Sequence, residues 1–284
     1  QTRASGENRV STKLGVIHAP IAAFLRRAGW EVTGFDLVGG ADVLDLPALR
    51  RAARGCAAIV HLAALAHDSA GSPEQIMAVN VLGTWHVLLA AEAAGANRVI
   101  SFSSAQVFGI AEGERLPDYF PVDDAHPRRA VRPYGLSKRL GEDLCAGFTS
   151  RPGIATVCLR PVAVWDQARH GQVRDQWRAR PRSEWEPYWE YGAFVDVRDV
   201  AAAVGQALTV PLAGHHRVLL CAARIAATAP SLGRRLRHRR RRRRAVRHAA
   251  RPDHRLQARR DRQAPRHRRA IKLRQPAHLS LIHI

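Results

Sequence analysis

What most restricts the fold of this chain is a repeated alternation of short apolar runs with stretches whose apolar residues recur at helical spacing. Residues 30–37, 57–64, 98–104, 155–165 and 217–223 are the apolar runs and read as strands. Residues 20–28, 47–54, 73–94, 134–148 and 197–208, lying between them, read as helices. Strands that are apolar on both faces must be covered on both faces, and helical crossovers between them leave the strands parallel. The sequence therefore predicts an α/β protein built on a Rossmann-like, doubly wound parallel sheet. Such sheets take their ligands beyond the carboxyl ends of the strands, so the polar residues that follow each apolar run are where a site should form.

A first strand is expected over residues 8–14, ahead of the first helix, although that segment lacks the near-continuous apolar run of a central parallel strand. Two further stretches read as irregular, substrate-facing insertions: residues 110–132, rich in Pro and Asp, and residues 166–192, which hold Trp177, Trp185, Trp189 and five arginines.

Charge divides the chain in two. Residues 233–284 carry 20 Arg and Lys against 2 acids, which leaves 25 against 22 in residues 1–232. The high isoelectric point thus belongs to the tail and says nothing about the partners of the body. That tail has no aromatic residue and contains an unbroken arginine run at 239–244, so it is expected to be disordered. Its Arg, Ala, His and Pro proportions are those of a GC-rich gene read out of frame, which is the origin we assign to it. Binding of nucleic acid through the arginine run is the alternative, and it is the less favoured one.

Cys56, Cys145, Cys158 and Cys221 are far apart with no Cys-x-x-Cys spacing, as befits reduced thiols of a cytoplasmic protein without a metal site. An uncharged run, residues 76–91, is 16 residues and includes Asn80, Thr84 and His86, too short and polar for a bilayer, so no membrane is expected as a partner.

Chemistry concentrates at Tyr134-Gly-Leu-Ser-Lys138. A tyrosine and a lysine four residues apart share one helix face, where an ammonium can make the phenol a usable acid or base. The chain has three lysines, Lys13, Lys138 and Lys272, against 42 arginines, yet lysine stands here. A guanidinium is a wide fork of very high pKa and would not substitute for a compact ammonium.

Other segments join this pair in a recognisable order: Val60-His-Leu-Ala-Ala64 and Ser103-Ser104-Ala-Gln-Val-Phe-Gly109 close strands, and Asn80-Val-Leu-Gly-Thr84 lies in a helix. Leu159-Arg-Pro161 follows a strand and Phe194-Val-Asp-Val-Arg-Asp199 precedes a helix. Together, over residues 9–225, they resemble the extended short-chain dehydrogenase/reductase family, the group of NAD-dependent nucleotide-sugar epimerases and dehydratases. The resemblance implies that Tyr134 is the general acid/base, that Lys138 lowers its pKa and holds the nicotinamide ribose, and that Ser104 donates to the same substrate oxygen. Asp36, 21 residues after Gly15, would bind the adenosine ribose, favouring NAD over NADP because residues 37–40 hold no arginine. Asp42 and Val43 would meet the adenine. Gly15, Ile17, Leu62, Ala63, Ala64, Asn80, Ser103 and Pro161 would complete the cofactor surface.

The family's Gly-x-x-Gly-x-x-Gly loop falls on residues 12–18, where only Gly15 is kept between Thr12 and His18. A Rossmann binding protein impaired toward the cofactor is therefore a second alternative. On the first reading residues 9–164 bind NAD, residues 165–193 face the substrate and residues 194–230 return to the sheet. The substrate implied is a small molecule, a nucleotide sugar; a homodimer would pair through the Tyr134 helix and the helix before it.

Overall fold

A computed structural model describes residues 17–110, 115–151, 153–179 and 192–223, together with the backbone of 278–283. The apolar runs form a six-stranded, wholly parallel sheet from β1 (Glu31–Asp36), β2 (Ala58–His61), β3 (Arg98–Phe102), β4 (Ala155–Pro161), β7 (His215–Leu220) and β8 (His278–His283). Their order across the sheet is β1-β8-β2-β3-β4-β7. Successive side chains of a strand point to opposite faces, and the core divides accordingly. Val60, Ile100 and Val157 pack on one face with Ile21 and Leu25 of α1 (His18–Arg27) and Val200 and Val204 of α7 (Val197–Thr209). Their neighbours Ile59, Val99 and Cys158 pack on the other. There they meet Leu49 of α2 (Leu46–Ala53), Val87 and Leu88 of α4 (Gly83–Ala94), and Cys145 and Phe148 of α5 (Pro133–Phe148). Helices on both faces make the fold the doubly wound one expected.

The helices start where side chains can satisfy their free N–H groups. Asp45 accepts from Ala48 N at 2.9 Å ahead of α2, and Asp196 from Arg198 N at 2.8 Å ahead of α7. Ser72 and Gln75 form a capping box on α3 (Pro73–Met77), which passes through a π-helical turn, Ala78–Leu82, into α4. The combined run Pro73–Ala94 is long and apolar enough to cross a membrane by length and composition, but Val87, Leu88, Ala90 and Ala91 are spent wholly on the core.

Three expectations change. The run 155–165 divides: β4 stops at Pro161, and β5 (Ala163–Trp165) pairs with β6 (Phe194–Asp196) in a separate two-stranded sheet. The stretch 166–192, expected to be irregular, opens with α6 (Gln167–Ala179). Asp166 starts it by accepting from Arg169 N at 2.7 Å, and Val173 and Trp177 anchor it on Trp165. Two apolar residues among Arg, Gln and Asp are too few to show a helical period, which is why it reads as loop.

The third change concerns the tail. His278–His283 is not disordered but a parallel strand between β1 and β2, paired on both sides, Leu281 with Gly34 and with Val60. In the doubly wound order this is the place of the strand that precedes the first helix. A gap there would leave two rows of buried backbone groups unpaired, so any extended segment able to reach it is held by hydrogen bonds on both edges. The strand expected at 8–14 lies outside the described residues, as do Thr12, Gly15, Trp185, Trp189 and the arginine run.

Candidate active site

The end of β3 continues through Ser103 into Ser104, whose extended backbone and Oγ, accepting from Gln106 N at 3.1 Å, start the 3-10 turn Ala105–Phe108. Gly109 ends that turn at φ 65°, in the left-handed region; a Cβ there would also lie 2.7 Å from Arg129 O. The first turn of α5 presses against this segment because Gly135 has no side chain: a Cβ would stand 2.8 Å from Gln106 O and 2.9 Å from Ala130 Cβ. Tyr134 and Ser104 are thereby carried on two segments in backbone contact.

One turn further along α5, Lys138 lies 5.9 Å from the centroid of the Tyr134 ring and donates from Nζ to Phe102 O at 2.8 Å. Both residues are buried, at 7 % and 8 % exposure. Loss of water pushes the Lys138 ammonium down from its usual 10.5 to about 8, since burial penalises the charged form. An ammonium has three N–H donors, and Phe102 O takes one.

Two residues not singled out in the sequence secure this arrangement. Asp68, in the loop after β2, accepts from Tyr134 N at 2.7 Å and pairs with Arg132 Nε at 2.9 Å. It caps α5 from 66 residues away, where the helix's own N-cap, Arg132, provides no side-chain bond. Glu142, one turn beyond Lys138, accepts from Ser103 Oγ and Arg160 Nε, each at 2.7 Å. Glu142 was legible as the third member of an i, i+4, i+8 stripe with Tyr134 and Lys138; Asp68 had no local signal.

The remaining predicted residues fall into two groups. Asp36 ends β1, three strand positions from β3 and about 14 Å away at the usual spacing, on the same carboxyl edge of the sheet. Asp42 lies just beyond and accepts from Leu44 N at 2.9 Å. Leu62, partly buried, and Ala63 follow β2 toward opposite faces of the sheet, Ala64 comes next, Pro161 closes β4, and Ile17 packs beside α1. Others are committed to structure. Val43 is fully buried against α4, where a Cβ on Gly83 would meet its Cγ1 at 2.8 Å. Asn80 accepts from Leu65 N at 2.8 Å and donates to Leu65 O at 3.0 Å and Ser137 Oγ at 2.9 Å, clamping the loop after β2 to α5.

His61 Nε2 lies 2.9 Å from Thr84 Oγ1, which donates to Asn80 O, so the ring is the neutral Nε2–H tautomer. Burial, and then the nearby Lys138 charge, push its pKa down to about 3. Among the described residues no group of His, Cys, Asp or Glu could hold a metal ion, and no disulfide joins the four cysteines.

A parallel sheet wound on both faces, with a buried Tyr–Lys helix at one point of its carboxyl edge and an acidic strand end at another, defines a dinucleotide-type α/β protein. The chain belongs to the NAD dependent epimerase/dehydratase family, whose model matches residues 15–221. It is similar to a uronate dehydrogenase of Pseudomonas syringae pv. tomato, 31 % identical over 136 residues that cover 48 % of this chain and 47 % of that protein. A UDP-glucose 4-epimerase of Streptomyces lividans is 29 % identical over 174 residues, covering 55 % and 51 %. The chain thus spans about half the length of the curated relatives it matches. Among solved structures, a short-chain dehydrogenase/reductase superfamily protein of Agrobacterium tumefaciens with bound NAD superposes with a TM-score of 0.62 at 27 % identity, over 78 % of this chain and 79 % of that one.

Proposed function

We propose that this chain is an NAD-dependent oxidoreductase or epimerase that acts on a sugar, in the first instance a nucleotide sugar, through Ser104, Tyr134 and Lys138. One observation carries the proposal: an ammonium buried to 8 % exposure lies 5.9 Å from a buried phenol ring, at the carboxyl edge of a doubly wound sheet. A structural lysine at that depth would cost stability, with one hydrogen bond, to Phe102 O, set against it.

In this reading Lys138 directs its remaining N–H groups at the hydroxyls of the nicotinamide ribose, while Asp36 receives those of the adenosine ribose. The span of about 14 Å from β1 to β3 suits a dinucleotide laid across the strand ends. When bound, NAD supplies the hydride acceptor. Tyr134 Oη takes the proton of the substrate hydroxyl, and the Lys138 charge favours the phenolate that does so. Ser104 Oγ already accepts from Gln106 N, so its own proton is free to be aimed at the substrate oxygen.

Relatives named uronate dehydrogenase and UDP-glucose 4-epimerase support two substrates, a free uronate and a UDP-hexose. The test is to supply each with NAD, following reduction of the cofactor for the uronate and inversion of the sugar for the UDP-hexose. Turnover of either, abolished by Tyr134→Phe, is the expected result; turnover that survives Tyr134→Phe removes Tyr134 from the mechanism.

A further inference from the structure

Behind the Tyr134–Lys138 pair, three elements and one loop meet at a single carboxylate. Glu142 is fully buried on α5 and takes both Nε and Nη2 of Arg160, a fully buried residue of β4, at 2.7 Å each. Its Oε1 also accepts from Ser103 Oγ at 2.7 Å, and Oε2 from Arg128 Nη1 at 3.2 Å. Arg160 Nη1 then reaches Asp124 O at 2.9 Å, and its guanidinium lies 5.1 Å from the Phe108 ring centroid.

The spacing along both chains is informative. Lys138 and Glu142 are one helical turn apart on α5, and they bond Phe102 O and Ser103 Oγ, which are consecutive residues of the strand end. Helix and strand are stitched at two successive points directly before Ser104. A rotation or slide of α5 must break both. Stability alone is a poor reason for such a cluster, because apolar residues of similar volume often replace a buried ion pair without loss.

We propose that Glu142, fixed by Arg160 and Arg128, is a positioning residue that holds α5 in register with the end of β3 and so sets Lys138 and Tyr134 relative to Ser104. The inference rests on the Ser104–Tyr134–Lys138 reading above. It requires the Ser103–Glu142 bond to control how closely the ammonium attends the phenol.

Ser103→Ala removes that bond and leaves Arg160 paired. The measurement is the ultraviolet titration of the Tyr134 phenol in the full chain, with the Tyr134→Phe trace subtracted, alongside the melting temperature. Thr156→Ala serves as the control: Thr156 Oγ1 donates to Cys145 O on the same helix at 3.2 Å without touching the end of β3. Ser103→Ala should raise the midpoint by half a pH unit or more, about a threefold weaker acid, and Thr156→Ala should leave it unmoved. If Ser103→Ala does not fold, Ser103→Cys, nearly isosteric with a weaker donor, is read in the same way. A folded Ser103 variant that lowers the melting temperature but leaves the midpoint in place overturns the inference, since the cluster then serves stability only. A wild-type midpoint equal to that of free tyrosine refutes instead the Tyr134–Lys138 reading on which it stands.

Discussion

Replacing Lys138 by methionine should make the cofactor-free chain more stable at neutral pH while destroying its activity. Burial lowers the ammonium from 10.5 to about 8, and at 1.36 kcal/mol per unit that is about 3 kcal/mol of cost in the folded state. Methionine has similar length and no charge to desolvate. Against this gain stands Phe102 O, which loses its donor and costs about 1–3 kcal/mol. The net is a stabilisation of about 0–2 kcal/mol, a rise of a few degrees in Tm for a domain of this size. The pH dependence gives the sign. Because Lys138 is the weaker base in the folded state, the unfolded chain binds more protons between about pH 8 and 10.4, and stability rises with pH across that window. Wild type should therefore close the gap to Lys138→Met as pH rises from 8 toward 10. Thermal melts of both proteins at pH 7, 8, 9 and 10 measure this. A variant that melts well below wild type at pH 7, with a gap that does not depend on pH, would show that the ammonium is a net stabiliser and that its burial is not held for function.

Three further outcomes follow from particular contacts. Gly135→Ala places a methyl 2.8 Å from Gln106 O, so α5 must back away from the turn after Ser104, at a cost of about 1–3 kcal/mol and with activity falling further than stability; unchanged kinetics would mean that the two segments need not touch. His61, held near a pKa of about 3, stays neutral in the fold while the unfolded chain takes up a proton below about pH 6.5, so stability falls with pH from 6.5 toward 3, by up to about 5 kcal/mol in all; urea midpoints of His61→Gln should fall less over the same range. Leu281→Pro removes a ladder donor from a strand paired on both sides and should cost on the order of 3 kcal/mol; a melting curve like that of wild type would contradict a strand at 278–283.

The parts of the fold that could be read in the sequence are those where burial on both faces writes itself into composition. β2, β3 and β4 are near-continuous apolar runs because each residue alternates between two cores, Ile59 toward one and Val60 toward the other. Helix starts were legible through Pro47 and Pro73, each in the first turn of its helix. α6 was not legible, because only Val173 and Trp177 anchor it. Leu279-Ser-Leu-Ile-His-Ile284 is itself a short apolar run, but its placing is a property of the slot between β1 and β2, which no spacing within the arginine-rich tail encodes. At the site, Tyr134 and Lys138 share a helix and could be read together. Asp68 and Arg160 reach that helix through tertiary contacts across 66 and 18 residues, which local spacing does not encode. Val43 shows the converse: the family resemblance placed it near the adenine, while its burial against Gly83 assigns it to the core.

The most direct test of the central claim is a calorimetric titration of NAD into the full chain and into its Tyr134→Phe and Lys138→Met variants. Equal affinity for wild type and Tyr134→Phe, with binding weakened at least tenfold in Lys138→Met, about 1.4 kcal/mol, is the result predicted if Lys138 holds the ribose and Tyr134 serves only the proton. A folded wild-type chain that takes up no NAD, or a Lys138→Met variant that binds it as well as wild type, would contradict that assignment.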